Sequence, residues 1–321
     1  MSMDEHHSDG PHNASADFWN LDRIYSREKG KFRTCAPGTK IDAYVVDSGI
    51  NPDHDDFQVE IDGVNKSRVK PGWHHKNYSN TEDTYYHGTF VASVLGGKTC
   101  GIARNVNLIA VKVCTNKSDL YLTTADAAVK WITKQVQNNS ILSVINMSFG
   151  GRVFRSFVNA VKAALNAGIV VVASAGNHNV SDLYDETDSC KIVPANITRA
   201  ITVGATNKDD YLSAFSFLGP CVDIYAPGSH ISGANYTLDP MYGVSQGTSF
   251  SAPLVAGVVA GMLQVFRDAK YYTKPSKDVV KDINKYIIKY AENGKVKGLP
   301  KGNNNFMLQA TGLYTVDTPA S

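Results

Sequence analysis

Three short stretches of the chain each place a reactive side chain where a strand ends or a helix begins. In Gly247-Thr248-Ser249-Phe250-Ser251-Ala252-Pro253, a serine stands at the start of the longest run of small and apolar residues. A hydroxyl at a helix N-terminus faces unpaired backbone N–H groups and the positive end of the helix dipole, both suited to a developing negative charge. Pro253 falls in the first turn, where its missing N–H costs little. In Tyr44-Val45-Val46-Asp47-Ser48-Gly49, a β-branched run closes on a carboxylate and a glycine. Asp47 is therefore expected at the C-terminal end of a buried strand. In His87-Gly88-Thr89-Phe90-Val91-Ala92-Ser93, a histidine opens a helix of small and apolar residues.

Acyl transfer to a serine needs three roles. The hydroxyl must lose its proton, an imidazole of near-neutral pKa must take it, and a buried carboxylate must hold that imidazole's tautomer. Ser249, His87 and Asp47 supply these types in the chain order Asp, His, Ser. A fourth group, Asn177, follows Ala173-Ser174-Ala175-Gly176 at the end of the β-branched run 169–172. An amide there can donate to a tetrahedral oxyanion beside a backbone N–H at Ser249. Each residue alone has an ordinary reading: a turn aspartate, a capping histidine, a serine at a helix start, an asparagine in a Gly-Asn turn. The four together, in this order, make coincidence the weaker account. An esterase of the α/β-hydrolase type is disfavoured, since it would show Gly-x-Ser-x-Gly and the order Ser, Asp, His.

These motifs resemble the subtilisin-like serine proteases (the subtilase family), nearest their proteinase K and cerevisin branch, over residues 18–310. The resemblance implies a serine endopeptidase with Asp47, His87 and Ser249 as its triad and Asn177 with Ser249 N–H as its oxyanion hole. Asn146-Met147-Ser148-Phe149-Gly150-Gly151 is similar to the family's substrate-binding strand, so Ser148, Phe149 and Gly150 are expected on one wall of the first specificity pocket. Ala173, Ser174, Ala175 and Gly176 would form the opposite wall. No carboxylate lies in these walls, which favours a large apolar or aromatic residue before the cleaved bond. Asp119, in Ser118-Asp119-Leu120, replaces the glycine-rich edge common in relatives and is expected at the groove rim.

Relatives also imply a Cys190–Cys221 disulfide; of the five cysteines, Cys35, Cys100 and Cys114 then remain, and an odd total leaves at least one thiol unpaired. The chemistry needs no cofactor. A structural calcium is allowed, with Asp223 matching a position that often supplies a ligand beside carbonyls near Thr198 and Ala200. The expected partners are protein or peptide substrates met by a monomer. Residues 1–17 are too short to be the inhibitory prodomain usual in the family, so the expectation is either a leader removed ahead of this chain or a member without one. Departures at Phe90, Ser93 and Phe250-Ser251-Ala252 leave the proton path intact. The competing class is a peptide-binding protein on a decayed protease fold, which predicts loss of the nucleophile or the base; both are present.

Composition agrees. The chain has 321 residues, 43% of them hydrophobic and 19% charged, enough for one large α/β core. A formal net charge of +2 offers no basic stripe for nucleic acid. The best membrane candidate, 254–266, is shorter than the roughly 20 uncharged residues a span needs. The implied disulfide and several Asn-x-Ser/Thr sites favour a secreted or vacuolar, secretory-pathway protein.

The elements that must hold these residues alternate between the two types. Strands are expected at 41–46, 107–113, 143–147, 169–173, 200–205 and 222–226, and helices at 88–95, 122–137, 155–167, 249–266 and 277–290. This alternation predicts a mainly parallel sheet with helices on both faces, the three-layer α/β sandwich of the subtilisin-like fold. Residues 1–17 and 311–321 are polar and are expected to be tails around a peptidase domain at 18–310.

Overall fold

The fold is described from a computed structural model covering residues 18–25, 36–178, 187–238 and 241–310. In chain order the elements are α1 (Trp19–Tyr25), β1 (Asp42–Asp47), β2 (Gln58–Ile61), β3 (Val64–Ser67), β4 (Val69–His74), α2 (His87–Gly96), β5 (Asn107–Lys112), α3 (Leu122–Asn139), β6 (Ser143–Met147), α4 (Arg155–Asn166) and β7 (Val170–Ser174). They continue with β8 (Ile201–Thr206), β9 (Ile224–Pro227), β10 (Ile231–Ala234), β11 (Tyr242–Ser245), α5 (Thr248–Asp268), α6 (Lys277–Lys289), β12 (Glu292–Asn293) and β13 (Phe306–Met307).

Nine strands form the central sheet in the order β12-β13-β9-β8-β7-β6-β1-β5-β4. Every neighbouring pair is parallel except β12 with β13. Strands such as Val170–Ser174 and Ser143–Met147 are buried at every position. That pattern is why they read as continuous apolar runs: a parallel sheet is covered on both faces. Helices α2 and α5 pack on one another and on one face, while α3, α4 and α6 pack together on the other, as the three-layer sandwich requires.

The long helix α5 is longer than the 254–266 segment and, by length and composition alone, apolar enough to cross a membrane. Its residues from Thr248 to Leu263 are nevertheless all buried, packed against β6, β7, β8 and β9. It is the core helix of the fold. Helix α4 stops at Gly168, whose φ of +89° a side chain would resist. The short helix α1 is fastened to the far end of the sheet. Arg23, 6% exposed, donates to the carboxylates of Asp210 and Glu292, and Trp19 Nε1 donates to His230 O.

The expected strands and helices are present within a few residues of their expected ends. Seven strands were not expected. β4 contains Pro71-Gly72, which reads as a turn, yet it pairs as an edge strand with a register shift between Pro71 and Trp73. Edges and bulges are where a sheet tolerates proline. The β2–β3 and β10–β11 hairpins form separate two-stranded sheets, and β12–β13 is only two residues long per strand.

Candidate active site

Chain order reverses at β1: the chain passes to β5 on one side and then to β6 on the other. A parallel sheet opens a crevice at the carboxyl ends of such strands. Asp47 ends β1, Ser148 follows β6, and Ala175 to Asn177 follow β7. All of them reach this one crevice.

Asp47 and His87 are fully buried and joined by a 2.7 Å bond from His87 Nδ1 to Asp47 Oδ1. Ser48 N–H donates to the same oxygen at 2.7 Å. A carboxylate accepting at Nδ1 puts the imidazole proton there and leaves Nε2 as the basic nitrogen. The glycine of the histidine motif is explained by contact. A β-carbon on Gly88 would stand 2.1 Å from Gly49 O and 3.1 Å from Asp47 Cβ, so only glycine lets the start of α2 lie against the aspartate turn.

Ser249 lies in the first turn of α5 and is 3% exposed. Its hydroxyl donates to Ser148 O at 3.2 Å, and its own carbonyl accepts from Ser148 Oγ at 2.8 Å. Asn146 Nδ2 in turn donates to Ser148 Oγ. Because α2 packs against α5, the two helix starts meet; the Phe250 ring lies 5.7 Å from the His87 imidazole and 4.6 Å from Phe90. The aromatic pair at these departures from the family pattern therefore shields the imidazole from water.

Asn177 is anchored through its amide oxygen. Its Oδ1 accepts from Thr248 N and Thr248 Oγ1, both at 2.9 Å. Thr248 Oγ1 also accepts from Gly176 N at 3.2 Å. With its oxygen occupied, the amide offers its Nδ2 donors beside Gly247, whose β-carbon position is 3.5 Å away. The first N–H groups of α5 and this amide converge near Ser249, the geometry of a site for a developing oxyanion.

The two expected pocket walls lie at the carboxyl ends of adjacent strands, β6 and β7. Between them sits a residue that sequence reasoning missed. Ile192 Cδ1 is 2.8 Å from the β-carbon position of both Gly150 and Gly176, so its side chain spans the two walls. Its segment is tied down on each side. Gly151 and Val193 exchange two backbone bonds, Cys190 is disulfide-bonded to Cys221, and Ser189 N–H donates to Leu218 O. The expected disulfide is thus formed, while Cys100 and Cys114 are free and buried and Cys35 lies outside the described residues.

Asp119 stands in the loop before α3, where its carboxylate accepts from Thr115 N, Thr115 Oγ1, Asn116 N and Tyr78 OH. Burial acts to raise its pKa, yet these bonds hold the carboxyl below the usual carboxylate value. Its charge is engaged by donors of its own loop and by Tyr78. Asp223, next to the turn at 197–202, accepts from Thr202 N at 2.8 Å. Burial pushes its pKa up to about 6. Among the described residues no group of three or more His, Cys, Asp or Glu gathers for a metal, so calcium would rest on Asp223 and backbone carbonyls.

A family model, that of the subtilase family, matches residues 38–306. The chain is a subtilase. Among curated proteins it is 37% identical over 280 residues to an extracellular serine proteinase of Thermus sp. (strain Rt41A), covering 84% of this chain and 64% of that one. It is 32% identical over 298 residues to the subtilase-type proteinase psp3 of Schizosaccharomyces pombe, covering 90% and 61%. The crystal structure of a cold adapted subtilisin-like serine proteinase superposes with a TM-score of 0.76 at 31% identity, covering 91% of this chain and 97% of that one. The subtilase described here spans somewhat over three fifths of the length of these two curated relatives.

Proposed function

We propose that this subtilase is a serine endopeptidase acting through an acyl-enzyme. The observation that carries the reading is the buried 2.7 Å Asp47–His87 bond at the start of α2, with α2 packed against the helix that begins at Ser249. Ser249 attacks the peptide carbonyl as His87 Nε2 takes its proton, and Asp47 orients the imidazole and supports the imidazolium. Asn177 Nδ2 and a backbone N–H at Ser249 receive the oxyanion. His87 then gives its proton to the leaving amine, and water repeats the sequence in reverse. No cofactor enters these steps.

Ser148, Phe149 and Gly150 pair with the extended substrate, and Ala173, Ser174, Ala175 and Gly176 close the other side. With Ile192 across the base, the preference moves from large or aromatic side chains toward medium-sized apolar ones before the cut. Asp119 contributes to the groove by holding its rim loop. A calcium at Asp223 would add stability and no chemistry. Secretion is supported by the disulfide and by the extracellular naming of a relative. Maturation from a prodomain-bearing precursor and action as a monomer complete the reading. The catalytically silent, peptide-binding alternative has no observation in its favour.

A fluorophosphonate probe tests the activity directly. Wild type should be labelled and Ser249→Ala should not. Folded wild-type protein that stays unlabelled, with calcium added, would refute the reading.

A further inference from the structure

Tyr86, the residue before the catalytic histidine, has φ +106° and ψ −32°. A bulky side chain avoids that region, whereas glycine, which has no β-carbon, enters it readily. A strained residue persists only where its surroundings over-determine it, and such residues gather at functional sites. Here the surroundings are visible. The Asp83 carboxylate, 8% exposed, accepts five hydrogen bonds. Oδ1 takes Tyr85 N (2.9 Å), Tyr86 N (3.1 Å) and Ser48 Oγ (2.9 Å). Oδ2 takes Thr89 N (2.9 Å) and Thr89 Oγ1 (2.6 Å).

These bonds join both halves of the catalytic pair. Thr89 N belongs to the first turn of α2, so Asp83 caps the helix that Tyr86 leaves without a side-chain cap. The Ser48 hydroxyl that donates to Asp83 also accepts from Gly88 N at 3.0 Å, next to Asp47 in sequence on one side and to His87 on the other. Behind the carboxylate, Lys112 is 2% exposed and pairs in register with Asp47 across β1 and β5. Its ammonium donates to Ser48 O, Glu82 O and Thr84 Oγ1, bracketing Asp83 on both sides. None of these groups touches the reacting atoms.

We propose that Asp83, braced by Lys112, is a positioning residue: it holds Tyr86 in a backbone conformation that tyrosine avoids and thereby aims His87 at Asp47. This rests on the serine-endopeptidase reading above. All five partners of the carboxylate are donors. An asparagine there must turn an NH2 group toward at least one of them, so Asp83→Asn breaks the arrangement at nearly constant volume.

The decisive experiment compares wild type, Asp83→Asn, and Asp83→Asn with Tyr86→Gly, reading kcat and KM on an apolar peptide and folded fraction by thermal unfolding. Hydrolysis by wild type establishes the underlying reading, so the ratios among the variants test this inference alone. Asp83→Asn should lower kcat by on the order of 10²-fold, the cost of a misplaced catalytic group, with KM changed less than about threefold. Glycine at position 86 needs no restraint, so the double variant should recover at least about tenfold of that loss. A merely structural role for Asp83 predicts no such recovery, because the glycine restores none of the lost bonds. Near-wild-type kcat in Asp83→Asn, or no recovery in the double variant, overturns the proposal. If Asp83→Asn alone does not accumulate folded, the double variant decides: folded and active supports the proposal, unfolded overturns it.

Discussion

Thr248 holds the amide oxygen of Asn177 through two donors at once, its backbone N–H and its hydroxyl, each at 2.9 Å. In the proposed mechanism this relationship decides which end of the amide faces the reaction. With the oxygen engaged, the NH2 group is the end available to an oxyanion, before any substrate arrives. Preorganised donors of this kind are the largest single electrostatic contribution in acyl transfer.

From this follows a graded pair of outcomes. Asn177→Leu should lower kcat by roughly 10²–10³-fold with little change in KM, the cost of losing one oxyanion donor. Thr248→Val removes the hydroxyl but keeps the N–H, so the amide loses one of its two anchors. A smaller drop in kcat, about 3–10-fold, is expected from a single neutral hydrogen bond. Steady-state kinetics on one peptide series checks both; a Thr248→Val loss equal to that of Asn177→Leu would show that the hydroxyl acts on the oxyanion itself.

Ile192 carries the next prediction. Its side chain meets both Gly150 and Gly176, and its backbone is clamped by the Val193–Gly151 bonds and the Cys190–Cys221 disulfide. It cannot swing aside to admit a long side chain without moving that clamp. Ile192→Ala removes three carbons from the pocket base. Each methylene of fit is worth about 10-fold or more in discrimination, so kcat/KM for Phe relative to Ala before the cut should rise by at least about 10-fold. An unchanged ratio across a peptide series would show that the pocket base lies elsewhere.

The contrast between Ile192 and Asp47 shows what a sequence reveals. The placement of Asp47, His87 and Ser249 is legible because the proposed chemistry requires a residue type beside a turn or helix start, and that context is local. The central strands are legible because a parallel sheet buries both faces. Ile192 is not, since an isoleucine sixteen or more residues from either wall carries no mark of where it packs. Asp83 is hidden for a similar reason: its five partners lie at Ser48, Tyr85, Tyr86 and Thr89, and only the fold brings Ser48 to it. The β2–β3 hairpin is a different case. Its turn, Asp62-Gly63, has φ of +53° and +75° and is a recognised hairpin signal, but the exposed Val59, Ile61 and Val64 give it no apolar face to bury. Asp119 reads as a groove charge until its four donors are seen.

Asp223 couples stability to pH through its burial, and the proposed calcium would act on the same carboxylate. Burial raises its pKa from 3.8 to about 6, so between those values the folded state binds a proton that the unfolded state has lost. Stability from this group is therefore fully present below about pH 4 and falls as pH rises through 6. In a chelator at pH 8, Asp223→Asn keeps the acceptor for Thr202 N–H and removes the buried charge. It should be more stable than wild type by about 1–3 kcal/mol, the worth of a two-unit shift discounted for partial exposure. At pH 4 the difference should vanish. Excess calcium should reverse the order at pH 8, raising the Tm of wild type and leaving that of Asp223→Asn unmoved, because a bound cation stabilises only the protein that holds it. Thermal unfolding of both proteins at the two pH values, with chelator and with calcium, checks all three outcomes; equal Tm values at pH 8 in chelator would refute the buried-charge argument, and an equal calcium response would place the ion away from Asp223.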